Sequence, residues 1–217
     1  MNRVSLVCTV HEELGRANVV ALRAILERIQ SDVIFLEVPP EALKNYLENS
    51  QKVEAAAVNQ YRLAHQVEPV PVDLLPPTQD FDSNSRYLFN RIEKVSRTFC
   101  LLMDSNSTYV RTEGFTYLNS ERSSKLWSDI YDEVVSTIKW MNNNPELVAI
   151  YESWKKTNDL REKAMMENIQ RYSRENTFDK GVFLVGAAHR QAVIDLSKGQ
   201  SGIRWDFAGH WNQQGDA

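Results

Sequence analysis

Val182-Phe183-Leu184-Val185-Gly186-Ala187-Ala188-His189 is the stretch on which the fold turns. Four consecutive apolar residues bounded by a turn signal read as a strand buried on both faces. Gly186 allows a tight exit, and the exit delivers an imidazole. Near the other end of the chain, Val4-Ser5-Leu6-Val7 runs into Cys8-Thr9-Val10-His11 with the same offset from strand to histidine. Two strands that each deliver a histidine point to one shared site.

Working outward, residues 3–8 predict a first strand and 14–30 a helix with Val19, Leu22, Leu26 and Ile29 on one face. Val33-Ile34-Phe35-Leu36 follows as a second strand, closed by Glu37 and Pro39-Pro40. Strand, helix and strand at this spacing make a βαβ unit, hence a parallel sheet with a right-handed crossover. Residues 41–49 and 52–65 predict two helical pieces. The proline-rich stretch 69–77 holds an extended edge strand around Val70-Pro71-Val72-Asp73.

The middle reads as helical. Leu88, Ile92, Val95, Phe99 and Leu102 stripe a helix over 84–103, followed by a polar loop over 105–114. Ile130, Val134, Ile138 and Met141 stripe another, ending at Asn142-Asn143-Asn144-Pro145. Residues 146–174 predict a long helix, with a break where Asp159 and Glu162 resemble a capping box. A short helix over 189–197 and a strand over 203–207 close the chain. The expected fold is one α/β domain over residues 1–217. It has a mostly parallel central sheet, flanking helices, and a helical cap over residues 80–175.

Composition bounds the function. With 217 residues, 42% hydrophobic, 25% charged and a net charge of −4, the chain has the balance of a soluble globular protein. Nothing in that charge favours nucleic acid as a partner. No apolar run reaches the length of a membrane span, and with the first strand expected from about Arg3 no leader is expected before it. Two cysteines, Cys8 and Cys100, make no disulfide framework. The expectation is a cytoplasmic protein acting on a small-molecule or peptide substrate.

Ligands of open parallel sheets bind beyond the carboxyl ends of the strands. Three predicted strands end in His11, Glu37 and His189, so two imidazoles and a carboxylate face one crevice. That set suits a divalent metal with an open coordination position. It equally suits metal-free acid–base chemistry, the carboxylate orienting one imidazole. Arg161 joins by another route. The stripe Leu147, Tyr151, Trp154, Asn158, Arg161, Met165 turns a guanidinium inward, where it needs Glu37 or an anionic substrate as partner. Asp73 is a further strand-end carboxylate within reach of such a site. Cys8 reads as a small buried residue, His65 as a helix-end residue, and His210 as part of a surface tail.

These residues, in this order, resemble the TraB/Tiki superfamily, which includes erythromycin-esterase-like and ChaN-like proteins. Its two G-x-x-H motifs correspond to Gly186-Ala187-Ala188-His189 and to Cys8-Thr9-Val10-His11, where cysteine replaces the glycine. Phe35-Leu36-Glu37 stands at the family's glutamate, Leu160-Arg161 at its arginine helix, and Glu54-Ala55-Ala56-Ala57 and Val72-Asp73 at later elements. The resemblance covers about residues 3–195. It implies an α/β fold with a crevice lined by His11, Glu37, Arg161 and His189. The activities it implies are mixed, ranging over metal-dependent proteolysis, ester hydrolysis, haem binding and toxin association. A hydrolase of an ester or amide bond is the leading expectation. A non-catalytic metal-, haem- or small-ligand-binding module and an interaction domain with a vestigial site are the alternatives.

Overall fold

The computed structural model describes residues 2–75 and 80–207; His210, read as tail, lies outside them. Five strands form one parallel sheet: β1 (Asn2–Thr9), β2 (Val33–Leu36), β3 (Glu68–Pro71), β4 (Lys180–Gly186) and β5 (Ile203–Asp206), in the order β3-β2-β4-β1-β5. The Val182–Val185 run lies in the central strand, which is why it carries no polar face. β1 and β4 pair from Arg3↔Lys180 to Thr9↔Gly186, and β2 joins β4 from Val33↔Gly181 to Leu36↔Leu184. The proline-bearing β3 sits at the edge, as a strand short of backbone donors must.

Helices cover the sheet. Among the described residues these are α1 (Val19–Ile29), α2 (Leu43–Asn49), α3 (Val53–Arg62), α4 (Phe81–Glu93), α5 (Arg97–Glu113), α6 (Phe115–Leu118), α7 (Glu121–Trp140), α8 (Pro145–Glu175) and α9 (Arg190–Ser197). α1 packs on α3, and α9 on α8. From β1 the chain crosses to β2 on one side. From β4 it crosses to β5 on the other. Right-handed crossovers then place α1 and α9 on opposite faces, and the ends of β1 and β4 flank the resulting switch-point crevice.

Two apolar cores result. One joins the sheet to its flanking helices through Val4, Leu6, Phe35, Ile34, Phe183 and Leu184. The other lies inside the cap, where Leu88, Ile92, Phe99, Ile130, Val134 and Leu147 meet.

Several local expectations are corrected. The helix expected from residue 14 begins at Val19, because Leu14 and Ala17 bridge each other and the Asn18 side chain caps Ala21 N–H. The single helix over 84–103 is two helices, interrupted where Ser96 caps Phe99 N–H at the start of α5. The polar stretch 105–114 is not a loop. α5 continues to Glu113, its polar side out, with the Ser105 hydroxyl donating back to Leu101 C=O and Val110 buried. The last strand stops at Asp206. α8 is unbroken across Asp159 and Glu162. Lys155 pairs with Asp159 along the helix, and Glu162 is engaged elsewhere, so neither side chain caps a new start. No described helix is long and apolar enough to cross a membrane.

Candidate active site

β4 ends at Gly186, and a single 3-10 turn, Ala187–His189, aims the imidazole back over the strand ends. The glycine is needed for space rather than for its backbone angle. Gly186 N–H donates to Glu37 Oε2 at 2.7 Å, and a Cβ there would stand 3.3 Å from the same oxygen. Glu37 issues from the end of the adjacent β2, so the carboxylate is pinned across two strands.

His189 lies between two carboxylates. Its Nδ1 is 2.6 Å from Glu162 Oε1 and its Nε2 is 3.4 Å from Glu37 Oε1, with all three side chains nearly sealed from solvent. Burial pushes the imidazole toward neutrality, yet Glu162 and Glu37 together outweigh burial and raise its pKa to about 9. His189 is therefore an imidazolium at neutral pH, with both nitrogens donating. Burial likewise opposes ionisation of Glu37. The hydrogen bond and charge of His189, the Arg161 guanidinium and the Gly186 N–H overcome it and hold the carboxyl far below its usual range.

Arg161 is where its helical stripe predicts, turned inward from α8. It serves two carboxylates, donating from Nη2 to Glu37 at 2.8 Å and from Nε and Nη2 to Asp73 at 3.1 and 2.5 Å. Asp73 is 4% exposed, so the pairing supplies the partner a buried carboxylate requires. Nη1 donates to Asn158 at 3.3 Å. Among the described residues, Nε and Nη2 are thus committed to carboxylates and Nη1 to Asn158 alone.

His11 occupies different surroundings. It is 47% exposed, and its Nδ1 is 3.1 Å from Glu54 Oε1, a carboxylate on α3 that is only 5% exposed. The Thr9 hydroxyl donates to the same oxygen at 2.6 Å, and Glu54 Oε2 is buried without a hydrogen-bond partner among the described residues. The strand that carries His11 is fixed by Asn119. Beyond the last β5 pairing at Ser5↔Asp206, its side-chain amide takes the place of a strand, accepting from Cys8 N–H at 2.7 Å and donating to Cys8 C=O at 3.1 Å. Cys8 itself is buried, and burial pushes its thiol up to about 12, so it is no nucleophile.

The four expected residues therefore form two neighbouring groups: His189, Glu37 and Arg161 with Asp73 and Glu162, and His11 with Glu54 and Thr9. Tyr46 lies within electrostatic range of both, its phenol raised first by burial and then by Glu54 and Glu37. The sequence reading gives neither Glu54 nor Glu162 a place in the site. It takes Glu162 for part of a capping box and Glu54 for part of a helix, though Glu54 stands in Val53-Glu54-Ala55-Ala56-Ala57-Val58, a carboxylate inside an apolar helix face. His65, expected at a helix end, is 2.6 Å from Glu27 and stacks on Tyr61, away from the site.

A divalent metal on His11, Glu37 and His189 does not fit this arrangement. Among the described residues no three His, Cys, Asp or Glu side chains gather as a ligand set. His189 has its Nδ1 against Glu162 and its Nε2 against Glu37, so neither nitrogen is open toward a shared ion, and His11 stands in the other group.

A cavity of about 570 Å³ opens beside His189 between the cap and the β4 exit, with Glu162, Trp127, Tyr131, Tyr151 and Trp154 in its walls. A larger surface groove, about 850 Å³, runs along α1 and α6 and contains neither histidine. The smaller cavity is walled by His189, Arg161 and Glu162, and His11 is not among its lining residues. No protein-family model, curated protein or solved structure matches this chain.

Proposed function

We propose that the protein hydrolyses an ester or amide bond without a metal, using His11 as general base and His189 as general acid. His11 is open to solvent and backed by the buried Glu54, the arrangement in which a carboxylate orients an imidazole to take a proton from water. The observation that carries the proposal is the placement of His189 between Glu162 and Glu37 at the wall of a substrate-sized cavity.

In this scheme the water oxygen attacks the carbonyl carbon as its proton passes to His11 Nε2. The negative charge gathering on the carbonyl oxygen is met by the cationic His189, which then supplies a proton to the departing alkoxide or amine. Arg161 is a positioning residue here. With Nε and Nη2 taken by Glu37 and Asp73, it acts by keeping Glu37 ionised and in place. The resemblance to the TraB/Tiki superfamily, which includes ester-cleaving members, supports the same reading.

The test is turnover of a panel of esters and amides, with products identified by mass spectrometry. His11→Ala and His189→Ala proteins that keep the native circular dichroism spectrum lose about 10²–10⁴-fold in kcat. Wild-type rates in both variants would sink the proposal.

A further inference from the structure

The cavity beside His189 has a composition that selects its occupant. Trp127 and Tyr131, four residues apart on α7, hold their rings 5.7 Å apart, and Tyr151 and Trp154 on α8 hold theirs at 6.0 Å. Tyr131 and Trp154 join the two pairs at 5.3 Å, with their planes inclined by 59°. These rings form one continuous aromatic wall, and π-faces attract cations.

The charges around the wall agree. Lys155 is taken by Asp159 at 2.7 Å. Arg161 is taken by Glu37 and Asp73, and His189 by Glu162 and Glu37. Asp132, also in the wall, has no direct hydrogen bond or ion pair among the described residues; Lys125 acts on it only at longer range, being paired with Asp129. Arg190 donates to Ser124 at 3.1 Å and does not line the cavity. Among the described wall residues, every cation is in direct contact with a carboxylate, and the Asp132 carboxylate is in direct contact with no cation. An anionic ligand finds no free partner here.

We propose that this aromatic pouch binds an organic cation, a tertiary or quaternary ammonium group seated over Trp127, Tyr131 and Trp154 with Asp132 as counter-ion. Combined with the hydrolytic reading above, on which this second part rests, the substrate class is a small ester or amide with an ammonium-bearing apolar body. The volume suits a single small molecule.

The test is titration of the full chain with benzyltrimethylammonium, followed by tryptophan fluorescence and calorimetry. Phenylacetate serves as the anionic control, and the choline isostere 3,3-dimethylbutan-1-ol is compared with choline itself. Saturable binding of the ammonium probes is expected, weakened about tenfold or more by Trp154→Ala. Asp132→Asn, a conservative change at an exposed position, weakens it by a smaller factor. Phenylacetate should not bind. Phenylacetate binding as tightly as benzyltrimethylammonium overturns the proposal, as does unchanged cation affinity in a folded Asp132→Asn, Trp127→Ala double variant. The same titration in His11→Ala protein separates the two claims. Cation binding without turnover of any ester or amide by wild type leaves the pouch standing and removes the hydrolase; turnover only of neutral or anionic substrates, without cation binding, does the reverse.

Discussion

His189 Nδ1 and Glu162 Oε1 stand 2.6 Å apart, and this contact makes a histidine on a strand exit into a cation. Sequence spacing places His11 and His189 symmetrically, but the structure gives them opposite characters. One is exposed with a single carboxylate behind it; the other is sealed between two.

The first prediction concerns pH. The folded pKa of His189 is raised to about 9 from 6.5, so the stability it contributes is complete below pH 6.5 and lost as pH rises through about 9. Glu37 has the opposite sign. Its carboxyl is depressed from 4.5, so its contribution is present above that value and lost only as the medium becomes strongly acidic. Histidine NMR is expected to give a titration near 9 for His189. In Glu162→Gln it moves toward 6.5, and urea midpoints then lose their decline between pH 7 and 9. A wild-type His189 titrating near 6.5 contradicts the assignment.

Removing Arg161 leaves the buried Asp73 without a cation and Glu37 with His189 alone. Arg161→Met is expected to cost ~3–5 kcal/mol in urea unfolding, the range for a broken buried pair. Asp73→Asn, Arg161→Met together should cost less than the sum of the singles, because the residues share one network. Additive losses would mean that the contacts at 2.5–3.1 Å are energetically idle.

Gly186→Ala tests the close approach of Glu37. The added Cβ meets Glu37 Oε2 at 3.3 Å, and its neighbour His189 Cδ2 at 3.7 Å. The carboxylate is expected to shift by a few tenths of an ångström, with about 1 kcal/mol lost in stability. The larger effect falls on activity, because the imidazolium loses its second partner. An Ala variant with wild-type turnover and an unshifted His189 titration would show that the glycine is incidental.

Cys8 and Cys100 differ in burial, and a thiol reagent reads that directly. Native protein is expected to label at Cys100 alone, with Cys8 reacting only after denaturation, since its thiol is buried and pushed up to about 12. Rapid labelling of Cys8 in the native state contradicts the sealed β1 end.

The parallel sheet and its strand exits are legible in the sequence because a strand buried on both faces leaves a continuous apolar run, as in Val33–Leu36 and Val182–Val185. The inward turn of Arg161 follows from helical spacing in the same way. What local pattern conceals is the partner. Glu162 lies on α8 and serves His189 twenty-seven residues later. Glu54 on α3 serves His11 forty-three residues earlier, and no periodicity encodes such pairings. Polar helix faces conceal as well. Residues 105–114 read as loop because their side chains are mostly polar, although Tyr109 and Val110 among them pack on the core. The capping serine at Ser96 was the one local sign that a long apolar stripe was two helices.

The most direct test of the account is kcat/KM for an ester or amide substrate as a function of pH. The account predicts a bell whose alkaline limb falls near pH 9, set by His189, and moves toward neutrality in Glu162→Gln. An alkaline limb that stays in place in Glu162→Gln, or a rate that climbs without limit above pH 9, would contradict His189 as the acid.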